Sequence, residues 1–292
     1  MLEKNINKGH CFVCGRVVLA GEGFRRPIRG RGVRVVCTCH TENDAECYHS
    51  SSRYRADKVG TEKKSTLAKT KVGIEWEMEG IHTDINKFKE VRGALERAGF
   101  CFEHDGSLDD GMEAPSPKCE GVKSLSALIH SMANRGEDVF LKGDNCGMHI
   151  HAEANNMTIY RNWYHTLFIP FCEWINSHDM NFCNANFGGK FRGYAHKIDR
   201  NSRVMEHSNF VNMQHDYTIE WRIPRYVSAC QTVILLKFWR KVLWMLNTTD
   251  WKVGADFTTR KAVAVKASEN IIKIAIDTFE NGDIDKLNRM TI

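Results

Sequence analysis

The stretch Gly73-Ile74-Glu75-Trp76-Glu77-Met78-Glu79 alternates apolar and acidic residues, a pattern that predicts a β-strand. Side chains two positions apart point to the same face of a strand, so Glu75, Glu77 and Glu79 share one face. Three like charges on one strand face repel each other, and a bound cation would remove that cost. The stretch therefore indicates either a metal-binding strand or an acidic stripe that faces solvent.

Two further alternating stretches carry polar side chains where a core strand would prefer apolar ones. In GMHIHAE, which begins at position 147, His149, His151 and Glu153 share one face. In TIEWRIP, which begins at position 218, Glu220 and Arg222 share a face. Imidazoles and carboxylates are good ligands for a divalent metal, so both strands favour a metal or phosphate site. Structural histidines and an ordinary ion pair are the alternatives.

A turn-rich loop follows the first strand and adds two more acids, Asp105 and Glu113. Mg²⁺ prefers carboxylates together with substrate phosphates. A sheet face that carries so many acids is therefore suited to holding the phosphates of ATP. The irregular segment downstream supplies cations that would neutralise a phosphoryl group in transfer, namely Arg192, Arg200 and Arg203.

The amino-terminal end predicts a separate structural zinc site. Cys11 and Cys14 have the spacing of two thiolates on one tight turn, and Cys37 and His40 supply the remaining two ligands. The alternates for those remaining ligands are Cys39 and Cys47. Metal binding would contribute folding energy here, because this end has few large apolar residues. A set of free thiols is the competing interpretation.

Charge is distributed unevenly along the 292 residues, whose formal net charge is +5. Residues 1–72 carry 15 basic and 7 acidic side chains, so the basic character belongs to one short end. We expect a basic zinc-binding module over 1–58, a polar linker over 59–70 and a catalytic domain over 71–292. The basic module is a candidate for nucleic-acid or protein contact, with a solvated basic face as the alternative.

Composition and hydropathy limit the compartment and the fold class. No apolar segment follows a basic start, which argues against a secretory signal and favours the cytoplasm without membrane contact. Helical patterns predict helices from Asp84 to about Ala98, over 158–178, 227–247 and 260–280, while 181–203 reads as irregular. Several alternating strands separated by helices predict an α+β domain. Oligomeric state stays open.

Four stretches, taken in order along the chain, resemble the motifs of the amidoligase family. They are GIEWEMEG, DGSL followed by MEAPSP, CGMHIHAE and TIEWRIPRY. This family of glutamine-synthetase-like carboxylate–amine ligases is common in phages and bacteria, and the resemblance covers about residues 71–250. It implies a mainly antiparallel sheet, with the active site on its concave face and helices on the other. The amino-terminal module, of zinc-ribbon or treble-clef type, lies outside it.

The resemblance also implies roles for individual residues, residue by residue. The Mg²⁺ or Mn²⁺ ligands would be Glu75, Glu77, Glu113, His149 and Glu220. The ATP-binding set would include these residues and also Asp105, Ser107 and Arg192. The catalytic residues would be Arg222, Arg203 and His151, and Arg222 would contact phosphate. Glu79 extends the acidic face beyond the family's usual pair, and the segment 181–203 has no firm counterpart in the family.

The implied reaction joins a carboxylate to an amine as an amide or isopeptide bond. ATP converts the carboxylate to an acyl phosphate, and an amine of a small amino acid, a peptide or a protein side chain then attacks the acyl carbon. Two other functions compete with this one. His149 and His151 would suit a zinc-dependent hydrolase, and the chain would otherwise be a nucleic-acid- or protein-binding module with an inactive ligase-like domain.

Overall fold

The computed structural model describes residues 3–10, 17–28, 32–37, 70–81, 83–97, 100, 102, 108, 110–116, 119–120, 138–141, 146–191, 195–252 and 256–289. The chain divides into two compact units. The first comprises Met1–Arg53, Glu75–Pro117 and Met132–Gly147. The second comprises Tyr54–Ile74, Lys118–Ser131 and Met148–Ile292. The predicted linker at 59–70 lies outside the described residues except for Thr70.

The fold is mixed α/β, with one mostly antiparallel sheet. Its described strands are β5 (Lys71–Glu79), β6 (Gly111–Pro115), β7 (Cys119–Glu120), β8 (Met148–Glu153), β9 (Val211–Asn212) and β10 (Thr218–Trp221). They are ordered β6-β5-β8-β10-β9, and β7 pairs with the first residues of β5. The three alternating sequence stretches thus form β5, β8 and β10, as their periodicity predicts.

Two small antiparallel pairs belong to the first unit. They are β1 (Gly9–His10) with β2 (Val17–Val18), and β3 (Gly23–Ile28) with β4 (Gly32–Cys37). The buried amide of Asn5 joins neighbouring segments, because its Nδ2 donates to the Leu19 carbonyl at 2.7 Å and its Oδ1 accepts from Gly23 N at 2.7 Å. Short strands joined by turns therefore form at this end.

The described helices are α1 (Ile85–Arg97), α2 (Asp138–Leu141), α3 (Met157–Asn162), α4 (Tyr164–Ser177), α5 (Met180–Phe187), α6 (Ala229–Thr248) and α7 (Phe257–Ala275). A π-helical turn, Ile276–Glu280, and a 3₁₀ turn, Ile284–Asn288, follow α7. Among the described helices, none is both long and apolar enough to cross a membrane.

Helix α1 illustrates how the sequence sets the helix ends and the buried face. Asp84 caps it, because its Oδ1 accepts a hydrogen bond from Lys87 N at 2.9 Å. Phe88, Val91 and Leu95 recur at helical spacing and are completely buried, so this face of α1 contributes to the core of the first unit. The predicted helix from Asp84 to about Ala98 is therefore confirmed to within a residue.

Two helix predictions differ from the structure. The single helix expected over 158–178 is two helices, because Trp163 leaves the helical conformation with φ −108° and ψ 13° between α3 and α4. The segment expected to be irregular contains α5, which Asp179 caps and Gly188 ends in the left-handed region at φ 73°. A Cβ at Gly188 would lie 2.6 Å from the Arg225 side chain, so glycine also provides the space.

An aromatic cluster forms the core of the second unit. The ring of Trp221 on β10 lies 5.9 Å from Phe171 on α4 and 5.2 Å from Phe238 on α6. Trp239 stacks on Trp221 at 5.4 Å, and its Nε1 donates to the Ile219 carbonyl at 3.0 Å. This cluster holds the apolar face of β10 against α4 and α6, which fixes the direction of the strand's polar face.

Candidate metal centre

The polar face of β8 and β10 gathers the histidines and acids of two sequence motifs. The antiparallel register places Glu220 opposite His151 and Thr218 opposite Glu153. The side chains on this face are buried, with His151 and Glu220 each 1% exposed. Buried ionisable groups are costly unless they are paired or coordinate a metal. The pairing of β8 with β10 therefore brings ionisable groups together on a buried face. Binding of a metal there would offset the cost of burying them.

Glu220 is the centre of this group and contacts four side chains. Its Oε1 accepts from Arg222 Nη1 at 2.5 Å and lies 3.3 Å from His149 Nδ1. Its Oε2 accepts from Asn212 Nδ2 at 2.6 Å and lies 3.1 Å from His215 Nε2. Neighbouring side chains therefore orient both oxygens of the Glu220 carboxylate. The residues that surround a metal ligand orient it in the same way.

Three of these residues could hold a divalent metal together. His151, His215 and Glu220 each offer a ligand atom, and the three atoms lie within 4.8 Å of one another. The rings of His151 and His215 meet edge to face, with their centroids 5.0 Å apart. Two imidazoles and one carboxylate suit Zn²⁺ or Mn²⁺, and Mg²⁺ would rely more on carboxylates.

The electrostatics favour an ionised Glu220. Burial raises the pKa of its carboxyl, but the Arg222 guanidinium, the His215 hydrogen bond and the nearby imidazoles outweigh burial and hold that pKa well below its usual value. Glu220 is therefore negatively charged at neutral pH, as a metal ligand must be. His207, whose Nε2 lies 3.4 Å from Arg222 Nη1, has its pKa lowered by desolvation and by the Arg222 charge.

The first unit carries acids on its own strand pair. Glu75 and Glu77 on β5 are 3% and 6% exposed and Glu79 is half-buried, so most of the acidic face of this strand is shielded from solvent. Glu77 lies directly opposite Glu113 on β6, and its Oε2 accepts a hydrogen bond from Gly147 N. Like charges facing each other across two strands repel, and a cation would relieve that repulsion.

The structure brings together some of the predicted site residues and leaves others apart. His149, His151, Glu220 and Arg222 lie in one cluster in the second unit. Arg203 is exposed, and its backbone carbonyl accepts from Asn209 Nδ2 at 2.7 Å and from Glu206 N at 3.3 Å. Cys37 is described only as the last residue of β4. The candidates outside the described residues are Asp105, Ser107, Arg192, Cys11, Cys14, His40, Cys39 and Cys47.

Three residues of the cluster escape the sequence pattern. Asn212 faces Glu220 from β9, His215 comes from the turn between β9 and β10, and His207 reaches Arg222. A two-residue strand carries too little periodicity for detection. Their closeness in sequence to β10 could have identified them. A tight antiparallel turn places Asn212 and His215 beside that strand.

A scan against protein-family models and a search of curated proteins find no match to this chain. The assignment of function therefore depends on the chemistry of the cluster and on the motifs that resemble the amidoligases.

Proposed function

We propose that this protein is an ATP- and divalent-metal-dependent ligase that joins a carboxylate to an amine. One observation carries the proposal. A single carboxylate oxygen, Glu220 Oε1, contacts His149 at 3.3 Å and Arg222 at 2.5 Å. Residue types that bind metals thus lie beside a guanidinium, a group suited to binding phosphate. This combination supports phosphoryl transfer, because metal and arginine charges together stabilise the phosphoryl oxygens.

In this proposal the protein's residues position ATP and the carboxylate for transfer. Glu220 and His149 would be ligands of Mg²⁺ or Mn²⁺, which would neutralise the phosphate oxygens of ATP when bound. Arg222 would bind the transferred phosphoryl group through its fork of N–H donors. Asn212 keeps the Glu220 carboxylate in place through its 2.6 Å hydrogen bond. His151 would face the reacting carboxylate.

The finer parts of the proposal come from the amidoligase resemblance. They include a glutamine-synthetase-like fold, in which Glu75, Glu77 and Glu113 are further metal ligands. The position of Glu77 directly opposite Glu113 on the neighbouring strand supports this role, because a cation between two facing carboxylates relieves their repulsion. They also include a structural zinc site in the amino-terminal module, which lies largely outside the described residues.

Nucleotide turnover tests the proposal directly. The full-length protein is mixed with ATP, Mg²⁺ or Mn²⁺, pooled amino acids and amines, and ADP release is measured. We expect release that depends on both the metal and the acceptor pool, and a loss of about a hundredfold or more in Glu220→Gln. Glu269→Gln is the matched control, because Glu269 is exposed and, within the described part of the chain, forms an ion pair with Lys266. Equal turnover by parent and Glu220→Gln would show that the assigned site is wrong.

A zinc-dependent hydrolase is the second candidate. The group of His151, His215 and Glu220 favours it, because two imidazoles and one carboxylate form a known catalytic zinc set. Zinc per chain, measured by mass spectrometry on the parent and on His151→Ala with His215→Ala, separates the two functions. A hydrolase would lose one zinc per chain in that double variant, whereas the ligase would keep its zinc content unchanged.

A further inference from the structure

Strand β9 lies at the edge of the described sheet, so alternate backbone carbonyls there have no strand to pair with. Phe210 O, just before the strand, points toward β10 and accepts a hydrogen bond from Arg222 N at 2.9 Å. The next carbonyl, Val211 O, points to the outer edge and accepts from the Tyr164 hydroxyl at 2.7 Å. A side chain of α4 therefore takes the place of a further strand at this edge.

Arg161, in the last turn of α3, holds the chain where it leaves β9. Its Nε and Nη2 donate to Met213 O at 3.1 and 2.9 Å, and Nη2 also donates to His215 O at 3.0 Å. Helix α3 is itself anchored, because the hydroxyl of its buried Tyr160 donates to Asn247 Oδ1 on α6 at 2.9 Å. The guanidinium thus joins two carbonyls of the turn after β9 to a fixed helix.

The Arg161 side chain serves backbone carbonyls rather than an acid. Within the described part of the chain it forms no ion pair, and its described hydrogen bonds all go to the turn. Hydrogen bonds from a charged donor are stronger than those between neutral groups. The planar fork of N–H groups fixes two carbonyls at once, which the point charge of a lysine cannot reproduce.

The clamped turn begins with Asn212 and ends with His215, the two residues that hold Glu220 Oε2. Asn212 Nδ2 donates to that oxygen at 2.6 Å, and His215 Nε2 lies 3.1 Å from it. Asn212 Oδ1 accepts from Gln214 N at 2.9 Å, so the Asn212 amide also depends on the backbone of the turn. A displacement of the turn would therefore move both contacts with the Glu220 carboxylate.

We propose that Arg161 is a positioning residue of the candidate metal centre. It holds the 212–215 turn so that Asn212 and His215 orient the Glu220 carboxylate, whose Oε1 then faces His149. Replacement of a residue that orients a metal ligand typically costs about 10–100-fold in metal affinity. The effect on metal binding rests on the proposed function, whereas the effect on the turn does not.

The geometry of the turn is tested first, without metal. In the full-length protein with isotopically labelled histidine, the rings of His151 and His215, whose centroids are 5.0 Å apart, should give a nuclear Overhauser contact. We expect Arg161→Gln to lose that contact while native tryptophan fluorescence is kept, because the turn is no longer held. Arg260→Gln, which removes the same charge from an exposed position of α7, should keep the contact.

Arg161→Lys covers the case in which Arg161→Gln fails to fold. It keeps the charge and the aliphatic stem but lacks the fork, so we expect a weakened contact between the two rings. An unchanged ring contact in Arg161→Gln, or in Arg161→Lys where only that variant folds, would overturn the proposal. Loss of native tryptophan fluorescence in both variants would overturn it too, because Arg161 would then serve the fold as a whole.

Binding of Mn²⁺ alone then tests the effect on the metal. Arg161→Gln should raise the Kd of the full-length protein for Mn²⁺ about tenfold, and Arg260→Gln should change it by less than about twofold. In a His215→Ala background, Arg161→Gln should alter the Kd by less than about threefold, because a group that Arg161 positions is already absent. Equal fold-changes in the two backgrounds would overturn the proposal. A parent that binds no Mn²⁺ would refute the proposed metal centre alone, because the ring contact decides the role of Arg161 without metal.

Discussion

Replacing Glu220 by Gln keeps the size of the side chain and removes its charge. Burial makes the substitution costly, because Glu220 is 1% exposed and Arg222 is 5% exposed. The variant leaves the guanidinium in the sheet without its carboxylate. Breaking a buried ion pair by removing one partner costs about 3–5 kcal/mol. Because a Gln Oε1 still accepts a hydrogen bond from Arg222, we expect the lower end, a loss of about 3 kcal/mol in the free energy of unfolding.

The pH dependence of that loss follows from the lowered pKa of Glu220. A carboxyl whose pKa falls on folding stabilises the protein fully above its unfolded pKa, near 4.5, and loses that contribution as the pH falls through the folded pKa. The gap in stability between parent and Glu220→Gln should therefore be constant from pH 6 to 8. It should shrink in acid, as the parent carboxyl takes up its proton.

Urea unfolding, followed by tryptophan fluorescence, measures this gap at each pH. The neighbouring residue Trp221 lies in the aromatic core, so its emission reports on the same region. Glu269→Gln provides the exposed control and should cost less than about 1 kcal/mol. A cost for Glu220→Gln as small as that of the control, or a gap that widens in acid, would refute the ion-pair geometry on which the site is built.

Three other outcomes are expected. The nuclear magnetic resonance titration of His207 should have its midpoint below the usual 6.5, and Arg222→Gln should move that midpoint upward, because a neighbouring positive charge is lost. Gly188→Ala should lower the free energy of unfolding by about 1–2 kcal/mol in chemical denaturation, because φ is 73° there and the site is crowded. Trp239→Phe should cost about 1–2 kcal/mol in the same assay, because the hydrogen bond that Nε1 donates to the β10 backbone is lost.

The sequence predicted three strands of the sheet because their periodicity is strong, whereas β6, which carries Glu113, was expected to be part of a turn-rich loop. Alternation over 73–79, 147–153 and 218–224 identified β5, β8 and β10 and the faces their polar residues share. Hydrophobic spacing also found the long helices. It could not find the break at Trp163, since the apolar pattern continues across it, nor α5, whose short sequence mixes Asn with aromatics.

The sequence predicts which site residues lie close together only where their side chains belong to the same strand. The pairs His149 with His151 and Glu220 with Arg222 follow from period-two geometry, and the structure places all four in one cluster. The meeting of β8 with β10 is a long-range pairing that local pattern does not encode. His215 and His207 come from irregular segments, so their contribution follows from the fold rather than from any motif.

Binding of Mn²⁺ to the full-length protein, followed by electron paramagnetic resonance, tests the central claim most directly. A divalent-metal centre on the polar face of β8 and β10 predicts saturable Mn²⁺ binding with spin-echo modulation from imidazole nitrogen, and weakening or loss of that modulation in both His149→Ala and Glu220→Gln. Glu269→Gln should behave as the parent does. Unaltered nitrogen modulation in the two site variants, or no saturable binding by the parent, would contradict a divalent-metal centre on this sheet face.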